Sequence, residues 1–221
     1  MPDVAIRLLD TSVRKCCMLN IQTMPLGAYQ TNCYILWGEG SDSCVVIDPG
    51  FEPEAVLQQA KKLGKTITDI FLTHGHFDHV GAVMTIAEQT DCRVWLHEGD
   101  YSQSRNPQNA FFYPLANCAF PQIQLWEEGQ TVCAAGLEFR ILSTPGHTWG
   151  SVCILCQDHI FSGDTLFQDS CGRTDLPGGS FPQIRQSLLR LKELEGDYAV
   201  HPGHGPDTTL AEERKFNPYM Q

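Results

Sequence analysis

THGHFDHVG, residues 73–81, follows an apolar run at residues 68–72 that is typical of a short buried strand. The stretch contains three histidines and one aspartate within six residues, although the whole chain has only eight histidines. Neutral imidazole and carboxylate groups are the usual protein ligands of zinc and similar divalent metals. A histidine-rich surface loop is the alternative, but this concentration of histidine favours a metal site. The candidate ligands in this stretch are His74, His76, Asp78 and His79.

Three more side chains of the metal-binding type follow predicted strands in the second half of the chain. Each comes after a glycine-containing turn: His147 ends STPGH, Asp164 ends FSGD and His204 ends HPGH. One such turn is usually structural. Four strand ends with the same pattern predict one shared site, because rigid strands hold functional loops at a common edge of a sheet.

Six blocks of the sequence resemble hydrolases of the metallo-β-lactamase fold, and among them the small hydroxyacylglutathione hydrolases of the glyoxalase II type. The resemblance runs from about Met18 to the C-terminus, and the blocks are VIDPG, THGHFDHVG, STPGHTWGS, FSGDTLF, CGRTDLPGG and HPGHGPDTTLAEE. It implies an α/β fold, the αββα four-layer metallo-β-lactamase sandwich, in which helices cover the outer faces of two packed sheets. Hairpins and helices alternate in both halves of the chain, which favours the same architecture.

The resemblance also implies a centre with two divalent metal ions. Zinc is the expected metal, and iron and manganese are the alternatives. The matching ligands are His74, His76 and His147 for the first ion and Asp78, His79 and His204 for the second. Asp164 would bridge the two ions together with a hydroxide, and Asp48 in VIDPG would support the metal loop from behind. Two such ions can share one water and lower its pKa to around 7. Asp78 and Asp164 are the predicted catalytic carboxylates.

The reaction that this resemblance implies is hydrolysis of a thioester of the S-(hydroxy)acylglutathione type by the metal-bridging hydroxide. A thiolate leaving group has a pKa near 8.5 and therefore departs with little acid assistance. Only 17 residues follow His204, so the helical domain that supplies much of the glutathione site in full-length glyoxalase II is not expected here.

Other functions of the same fold are alternatives. A persulfide dioxygenase with one iron ion shares the GRTD segment at residues 172–175 but uses fewer ligands, and a lactone or other ester hydrolase is a further alternative. A true β-lactamase lacks the aspartate that Asp164 supplies, and a flavodiiron protein needs a glutamate where His76 stands. A metal-stabilised binding protein without turnover is the non-enzymatic alternative.

Arg173 lies nine residues after Asp164 and is a candidate for binding a substrate carboxylate. A guanidinium group suits bidentate contacts with a carboxylate. A salt bridge to Asp175 is an equally good interpretation of this arginine. The remaining histidines are expected to have structural or surface roles, and they are His97, His159 and His201.

The net charge of −11 argues against nucleic acid and against an anionic membrane surface, because both attract a positive field. It also disfavours an RNA-processing nuclease, which needs a basic exosite. No apolar run approaches the roughly 20 residues of a membrane helix. Residues 1–17 lack the apolar region of a signal peptide. The expected partner is therefore a small-molecule thioester in the cytoplasm, and the oligomeric state is left open.

The ten cysteines are interpreted as mostly reduced thiols of a cytoplasmic protein. Cys153 and Cys156 form a CxxC motif within a predicted strand, where positions three apart point to opposite faces. A structural role is therefore favoured over a redox or zinc role. We predict one metallo-β-lactamase-fold domain over residues 18–221, preceded by a detached extension at residues 1–17.

Hydrophobic periodicity and turn residues predict the elements around the six blocks. The predicted strands are residues 18–24, 32–37, 43–48, 68–72, 93–96, 131–143, 151–156, 159–162 and 198–200. The predicted helices are residues 53–63, residues 80–89 and a third helix that begins at a Ser180–Gln183 capping box and ends at Gly196. Residues 103–124 are interpreted as a loop or lid.

Overall fold

A computed structural model describes residues 17–106, 109–112 and 123–221. The first half of the chain forms a six-stranded sheet. In order across this sheet, the strands are β1 (Leu19–Leu26), β2 (Thr31–Gly38), β3 (Ser43–Ile47), β4 (Thr66–Phe71), β5 (Arg93–His97) and β6 (Ile123–Trp126). The first three strands pair antiparallel, whereas β3 to β6 run parallel. The predicted hairpin is therefore confirmed as β2 and β3.

The second half of the chain forms another six-stranded sheet, in the order β14-β13-β10-β9-β8-β7. Its strands are β7 (Thr131–Ala134), β8 (Leu137–Ser143), β9 (Val152–Cys156), β10 (His159–Gly163), β13 (Ala199–Pro202) and β14 (Thr208–Thr209). Only β10 and β13 pair parallel in this sheet. A small two-stranded sheet, β11 (Leu166–Phe167) and β12 (Ser170–Cys171), lies between β10 and β13 in the chain.

Helices and three buried apolar clusters define the layers. The helices are α1 (Pro53–Lys62), α2 (Phe77–Val80), α3 (Val83–Thr90), α4 (Glu98–Gln103), α5 (Phe181–Lys192) and α6 (Leu210–Phe216). One cluster joins the first sheet to α1 and α3, a second joins the two sheets through residues such as Phe71 and Phe139, and a third joins the second sheet to α5 and α6. The predicted αββα four-layer sandwich is confirmed.

The strand β8 shows how sequence pattern sets this packing. Leu137, Phe139 and Ile141 are buried, while Glu138 and Arg140 between them are exposed. Successive side chains of a strand point to opposite faces, so an apolar residue at every second position puts one face of β8 against the first sheet. Burying these side chains stabilises the fold by about 1.5–3 kcal/mol each.

The predicted helix at residues 80–89 is wrong in its continuity, because the chain forms α2 and α3 with a break at Gly81 and Ala82. The backbone of this break packs against the loop after β3: the Ala82 N–H donates to Pro49 O at 3.0 Å. A Cβ atom at Gly81 would lie 2.3 Å from Gly50 O, and one at Gly50 would lie 1.8 Å from Asp78 O. The two glycines therefore allow a contact that interrupts the helix.

The predicted capping box of α5 is also wrong. Ser180 is the N-cap residue, but its side chain makes no capping hydrogen bond. Its backbone N–H instead donates to Gly146 O at 2.8 Å, and a proline in the first turn fixes the helical backbone. The helix ends at Lys192, four residues before the predicted stop at Gly196. The start of α5 is thus tied to the loop that carries His147.

Other predictions have mixed outcomes. The loop predicted for residues 103–124 is wrong at both ends, because Gln103 is the last residue of α4 and residues 123–124 begin β6. Residues 107–108 and 113–122 lie outside the described residues. The CxxC prediction is confirmed, because Cys153 packs with the outer cluster of the second sheet and Cys156 with the cluster between the sheets.

The extension at residues 1–17 lies outside the described residues except for Cys17 and stays a prediction. In the described part of the chain, no helix has the length and apolar character that crossing a bilayer requires.

Candidate metal centre

All seven predicted ligands lie in segments that follow strands. The loop after β4 carries His74 and His76, and α2, which follows this loop directly, carries Asp78 and His79. The loops after β8, β10 and β13 carry His147, Asp164 and His204, respectively. The structure brings these loops together in two groups. In the first cluster, the ligand atoms of His74, His76 and His147 lie within 4.8 Å of one another. In the second cluster, the same holds for Asp78, His79 and His204.

The Asp164 carboxylate lies between the two clusters. Its Oδ1 atom is 3.4 Å from His79 Nε2, and its Oδ2 atom is 3.5 Å from His147 Nε2 and 3.7 Å from His204 Nε2. Glycines on both sides permit this approach, since a Cβ atom at Gly203 would lie 2.3 Å from Asp164 Oδ1. One carboxylate therefore faces ligand nitrogens of both clusters.

Hydrogen bonds fix the orientation of the imidazole rings. His147 Nδ1 donates to Arg173 O at 2.8 Å, and His204 Nδ1 donates to Tyr29 O at 3.1 Å. A ring that donates through Nδ1 presents the lone pair of Nε2 when it is neutral. In both histidines that Nε2 atom is the one that faces Asp164.

Asp48 orients the third ring, that of His79. Its Oδ2 atom accepts from His79 Nδ1 at 2.9 Å and from Thr73 Oγ1 at 2.6 Å, while its Oδ1 atom accepts from Thr73 N at 2.8 Å. Asp48 itself has a φ of 48°, a left-handed conformation that few residues other than glycine adopt. The structure thus places Asp48 behind the metal loop, in contact with one candidate ligand.

The first cluster is buried and its histidines favour the neutral form. Burial and the neighbouring histidines hold the pKa of His74 well below its usual range. The same causes lower the pKa of His76 to about 3. Burial also lowers the pKa of His147, against the opposing effect of Asp164. Neutral imidazole is the form that binds a metal.

The second cluster carries negative charge. Burial opposes protonation of His79 and His204, but nearby carboxylates dominate and raise the pKa of both rings: Asp164 and Asp48 act on His79, and Asp78 and Asp164 on His204. Burial opposes ionisation of Asp78 and Asp164, but the adjacent histidines dominate and lower both pKa values. Both carboxylates are therefore ionised at neutral pH.

These groups fit divalent metal. His74 Nε2 is buried and has no hydrogen-bond partner among the described residues. A buried polar atom without a partner is costly unless something else binds it. Imidazole nitrogens around one or two carboxylates form the donor set that zinc and iron prefer. The clustered side chains are thus a site for divalent metal.

Comparison with known proteins identifies the family. Residues 26–204 match the model of the metallo-beta-lactamase superfamily. The chain belongs to the metallo-beta-lactamase superfamily. Membership and the histidine and aspartate clusters together make the protein a metal-dependent hydrolase of that superfamily.

One curated relative in the superfamily is the hydroxyacylglutathione hydrolase GloC of Haemophilus influenzae. It is 34% identical over 209 residues, which cover 91% of this chain and 98% of the relative. Among solved structures, the B3 metallo-beta-lactamase BLEG-1 superposes with a TM-score of 0.83 at 34% identity, covering 91% of this chain and 100% of that one.

Two further solved structures are similar to most of the chain. TTHA1623 in a di-iron-bound form has a TM-score of 0.77 at 38% identity, and covers 90% of this chain and 99% of its own. ETHE1 from Myxococcus xanthus has a TM-score of 0.76 at 31% identity, and covers 90% of this chain and 83% of its own. The chain therefore shares its fold with BLEG-1, TTHA1623 and ETHE1, three proteins that carry different names.

Arg173 lies outside both clusters. Its guanidinium makes a bidentate pair with Asp175, with Nε to Oδ1 at 2.7 Å and the second nitrogen to Oδ2 at 2.8 Å. Its side chain is 60% exposed, and only its backbone carbonyl reaches the centre, through His147. The salt-bridge interpretation is therefore the arrangement observed, and a role in substrate binding stays a prediction.

The three other histidines make structural contacts. His97 caps α4 by accepting from Gly99 N at 3.1 Å. His159 Nδ1 and His201 Nε2 are 2.9 Å apart, and the two rings stack. The structural role predicted for them agrees with these contacts.

Sequence patterns alone missed Asp100, which the structure places beside the first cluster. Asp100 is fully buried in α4, a helix that was not predicted. Burial raises the pKa of its carboxyl to about 6, although hydrogen bonds from Thr148, Gly75 and Gly150 act in the opposite direction. Its position directly after a strand, in WLHEGD, is the same signal that pointed to the ligands.

A cavity of about 260 Å³ lies beside the metal loops. Its walls include the carboxamides of Gln103, Asn106 and Asn109 and the aromatic rings of Phe111 and Trp149. Trp149 is two residues from His147, and Phe111 O accepts from Phe77 N at 3.0 Å, so two of the lining residues adjoin segments that carry ligands.

Proposed function

We propose that the protein is a dinuclear metallohydrolase of the glyoxalase II-like type, which cleaves thioesters of the S-(hydroxy)acylglutathione class. The position of Asp164 carries this proposal, because its two oxygens face nitrogens of both clusters at 3.4–3.7 Å. A carboxylate between two dications offsets their repulsion. The first ion is assigned to His74, His76 and His147, the second to Asp78, His79 and His204, and zinc is the proposed metal.

Two divalent ions held there would lower the pKa of a water to around 7 and polarise a carbonyl. Asp78 lies at the open side of the second cluster, with Oδ2 3.3 Å from His204 Nε2. Its low pKa keeps it ionised. We assign it the role of orienting the attacking water and accepting its proton. Asp48 and the carbonyls of Arg173 and Tyr29 hold the histidine rings in place.

The chemistry of the leaving group favours a thioester. Asp78 and Asp164 are ionised before the reaction and the histidines are assigned to metal, so none of the seven assigned ligands starts the reaction as a proton donor to the leaving atom. A thiolate departs without such a donor, whereas a lactam nitrogen needs one. The cavity with carboxamide and aromatic walls offers hydrogen bonds and apolar contact to a hydroxyacyl group.

The relative from Haemophilus influenzae supports the same reaction, because its name is hydroxyacylglutathione hydrolase and the match covers 98% of its length. This chain therefore matches a protein named as a thioester hydrolase over nearly the whole length of that protein.

Persulfide oxidation at an iron site is the second candidate. It is supported by the similarity to ETHE1 and to the di-iron-bound TTHA1623. The two candidates differ in metal content and in co-substrate, because the dioxygenase needs oxygen and hydrolysis does not.

The test is a thiol-release assay with S-hydroxyacylglutathione, run beside an oxygen electrode with glutathione persulfide and an absorbance assay with a β-lactam. Metal content of freshly purified protein is measured in parallel. We expect thiol release without oxygen uptake, β-lactam turnover lower by orders of magnitude and close to two ions per chain. Oxygen uptake without thiol release from any thioester would move the protein to the dioxygenases. A fully loaded protein with one ion and a free His204 would contradict the dinuclear centre.

A further inference from the structure

Asp100 joins the two loops that carry the first cluster. Its Oδ2 atom accepts from Gly75 N at 2.8 Å and from Thr148 Oγ1 at 2.7 Å, and its Oδ1 atom accepts from Gly150 N at 2.7 Å. Gly75 stands between His74 and His76, and Thr148 follows His147. One carboxylate therefore accepts hydrogen bonds from both of the loops that carry the three histidines.

The backbone on either side is shaped to admit this carboxylate. A Cβ atom at Gly150 would lie 2.8 Å from Asp100 Cγ, and one at Gly75 would lie 3.1 Å from Asp100 Cβ. Larger residues at either position would push the loops away from Asp100. The Thr148 hydroxyl is held in turn by Ser151 Oγ at 2.8 Å. Each member of this network is fully or almost fully buried.

Burying a carboxylate among neutral donors is costly. All three partners of Asp100 are backbone N–H groups or a hydroxyl, and none of them brings a positive charge that would compensate the carboxylate. A neutral side chain would link the two loops at a lower cost in desolvation free energy. The negative charge of Asp100 is therefore explained by attraction to a cation at the neighbouring cluster, because charges interact strongly at low dielectric.

We propose that Asp100 is a positioning residue for the first metal ion: it sets the distance between the His74–His76 loop and the His147 loop and adds negative charge behind them. This inference rests on the proposed metal centre but does not depend on its substrate. Groups that orient metal ligands typically contribute 10–100-fold to metal affinity. Asp48 has the corresponding position behind His79, so each cluster has its own buried carboxylate.

The experiment measures zinc affinity by competition with a chromophoric chelator, using Zn²⁺ as the probe. In a His204→Ala background, where the first cluster holds the remaining ion, Asp100→Asn is expected to weaken zinc binding by about 10–100-fold. In a His147→Ala background, where the second cluster holds it, Asp100→Asn is expected to leave zinc affinity unchanged. Equal weakening in both backgrounds, or in neither, would overturn the proposal.

Asp69→Asn is the matched control. Asp69 is equally buried and also accepts three hydrogen bonds, from Trp95 and Arg93, but it contacts neither metal loop. We expect this variant to lower the melting temperature without changing zinc affinity. If Asp100→Asn behaves in the same way, Asp100 is merely structural.

Thr148→Val is a milder variant in case Asp100→Asn does not fold. It removes one of the three hydrogen bonds to Asp100 at nearly constant volume, and a smaller loss of zinc affinity confined to the first cluster is expected. An unchanged affinity would count against the network. Because no substrate enters these titrations, absence of thioesterase activity would sink the proposed function and leave the role of Asp100 standing.

Discussion

The two clusters of the centre differ in burial and in charge. The first consists of three histidines that are at most 5% exposed, and burial lowers the pKa of each. The second contains a carboxylate and the most exposed candidate ligand, His204, whose side chain is 28% exposed. In it, the carboxylates raise the pKa of both histidines. The first cluster is therefore the more enclosed of the two, and the second is the one that solvent reaches, through His204.

The two clusters also use different supports. Asp48 and the carbonyl of Tyr29 hold the second cluster, whereas Asp100 and the carbonyl of Arg173 serve the first. Asp164 faces ligand nitrogens of both clusters, and Asp48, which contacts His79 directly, also lies within 4.8 Å of the ligand atom of His74. Substitutions at these positions are therefore expected to change the metal affinities of the two clusters to different extents.

Asp164→Asn should affect both clusters at once. The amide keeps the shape of the side chain but removes the charge that offsets two dications, so we expect thioester turnover to fall by about 100-fold or more. Folding should suffer less than turnover, which the melting temperature of the metal-free protein checks. Turnover within about twofold of the original would show that Asp164 does not bridge the ions.

Asp48→Asn should weaken the second cluster more than the first, because its direct hydrogen bond to a ligand is the one to His79. The substitution removes the charge that orients His79 and favours its Nδ1–H form, so zinc affinity at one of the two sites should fall by about 10–100-fold. Stepwise zinc titration measures the two affinities separately. Combined with Asp100→Asn, it should weaken both sites; equal loss at both sites from Asp48→Asn alone would refute the division.

Acid should release the ion of the second cluster first. Protons compete with metal for histidine, and a ring with a raised pKa takes up its proton at a higher pH. His79 and His204 have raised pKa values and the three histidines of the first cluster have lowered ones. Zinc content measured from about pH 8 to 5 should fall in two steps. In His204→Ala only the step at lower pH should remain.

Arg173→Ala should have the smallest effect. The side chain is exposed and paired with Asp175, and it reaches the first cluster only through its backbone, so zinc affinity should not change. If the arginine also binds substrate, KM for acidic thioesters should rise a few-fold while neutral thioesters stay unaffected. Asp175→Ala is the control, because it frees the guanidinium and should not raise KM for acidic substrates. Equal KM changes for both substrate classes would exclude a carboxylate contact.

Much of the centre could be predicted from local pattern. Each ligand follows a strand and a glycine-containing turn, and that signal lies within about ten residues of chain. Asp100 in WLHEGD also follows a strand and a glycine, but an acidic residue after a strand is common and does not by itself indicate a site. The break between α2 and α3 could not be predicted, since it depends on contact with Pro49 and Gly50 from another loop.

The sequence by itself determined the kind of chemistry: imidazole and carboxylate ligands, their places at strand ends, and a layered fold set by alternating apolar residues. The tertiary structure decided which groups meet. His79 and His204 are 125 residues apart in the chain, yet their Nε2 atoms are 3.3 Å apart. It also placed Asp100 between two loops that are 25 and 48 residues away from it in the chain. Such contacts arise from the packing of two sheets, and packing joins residues that no local pattern relates.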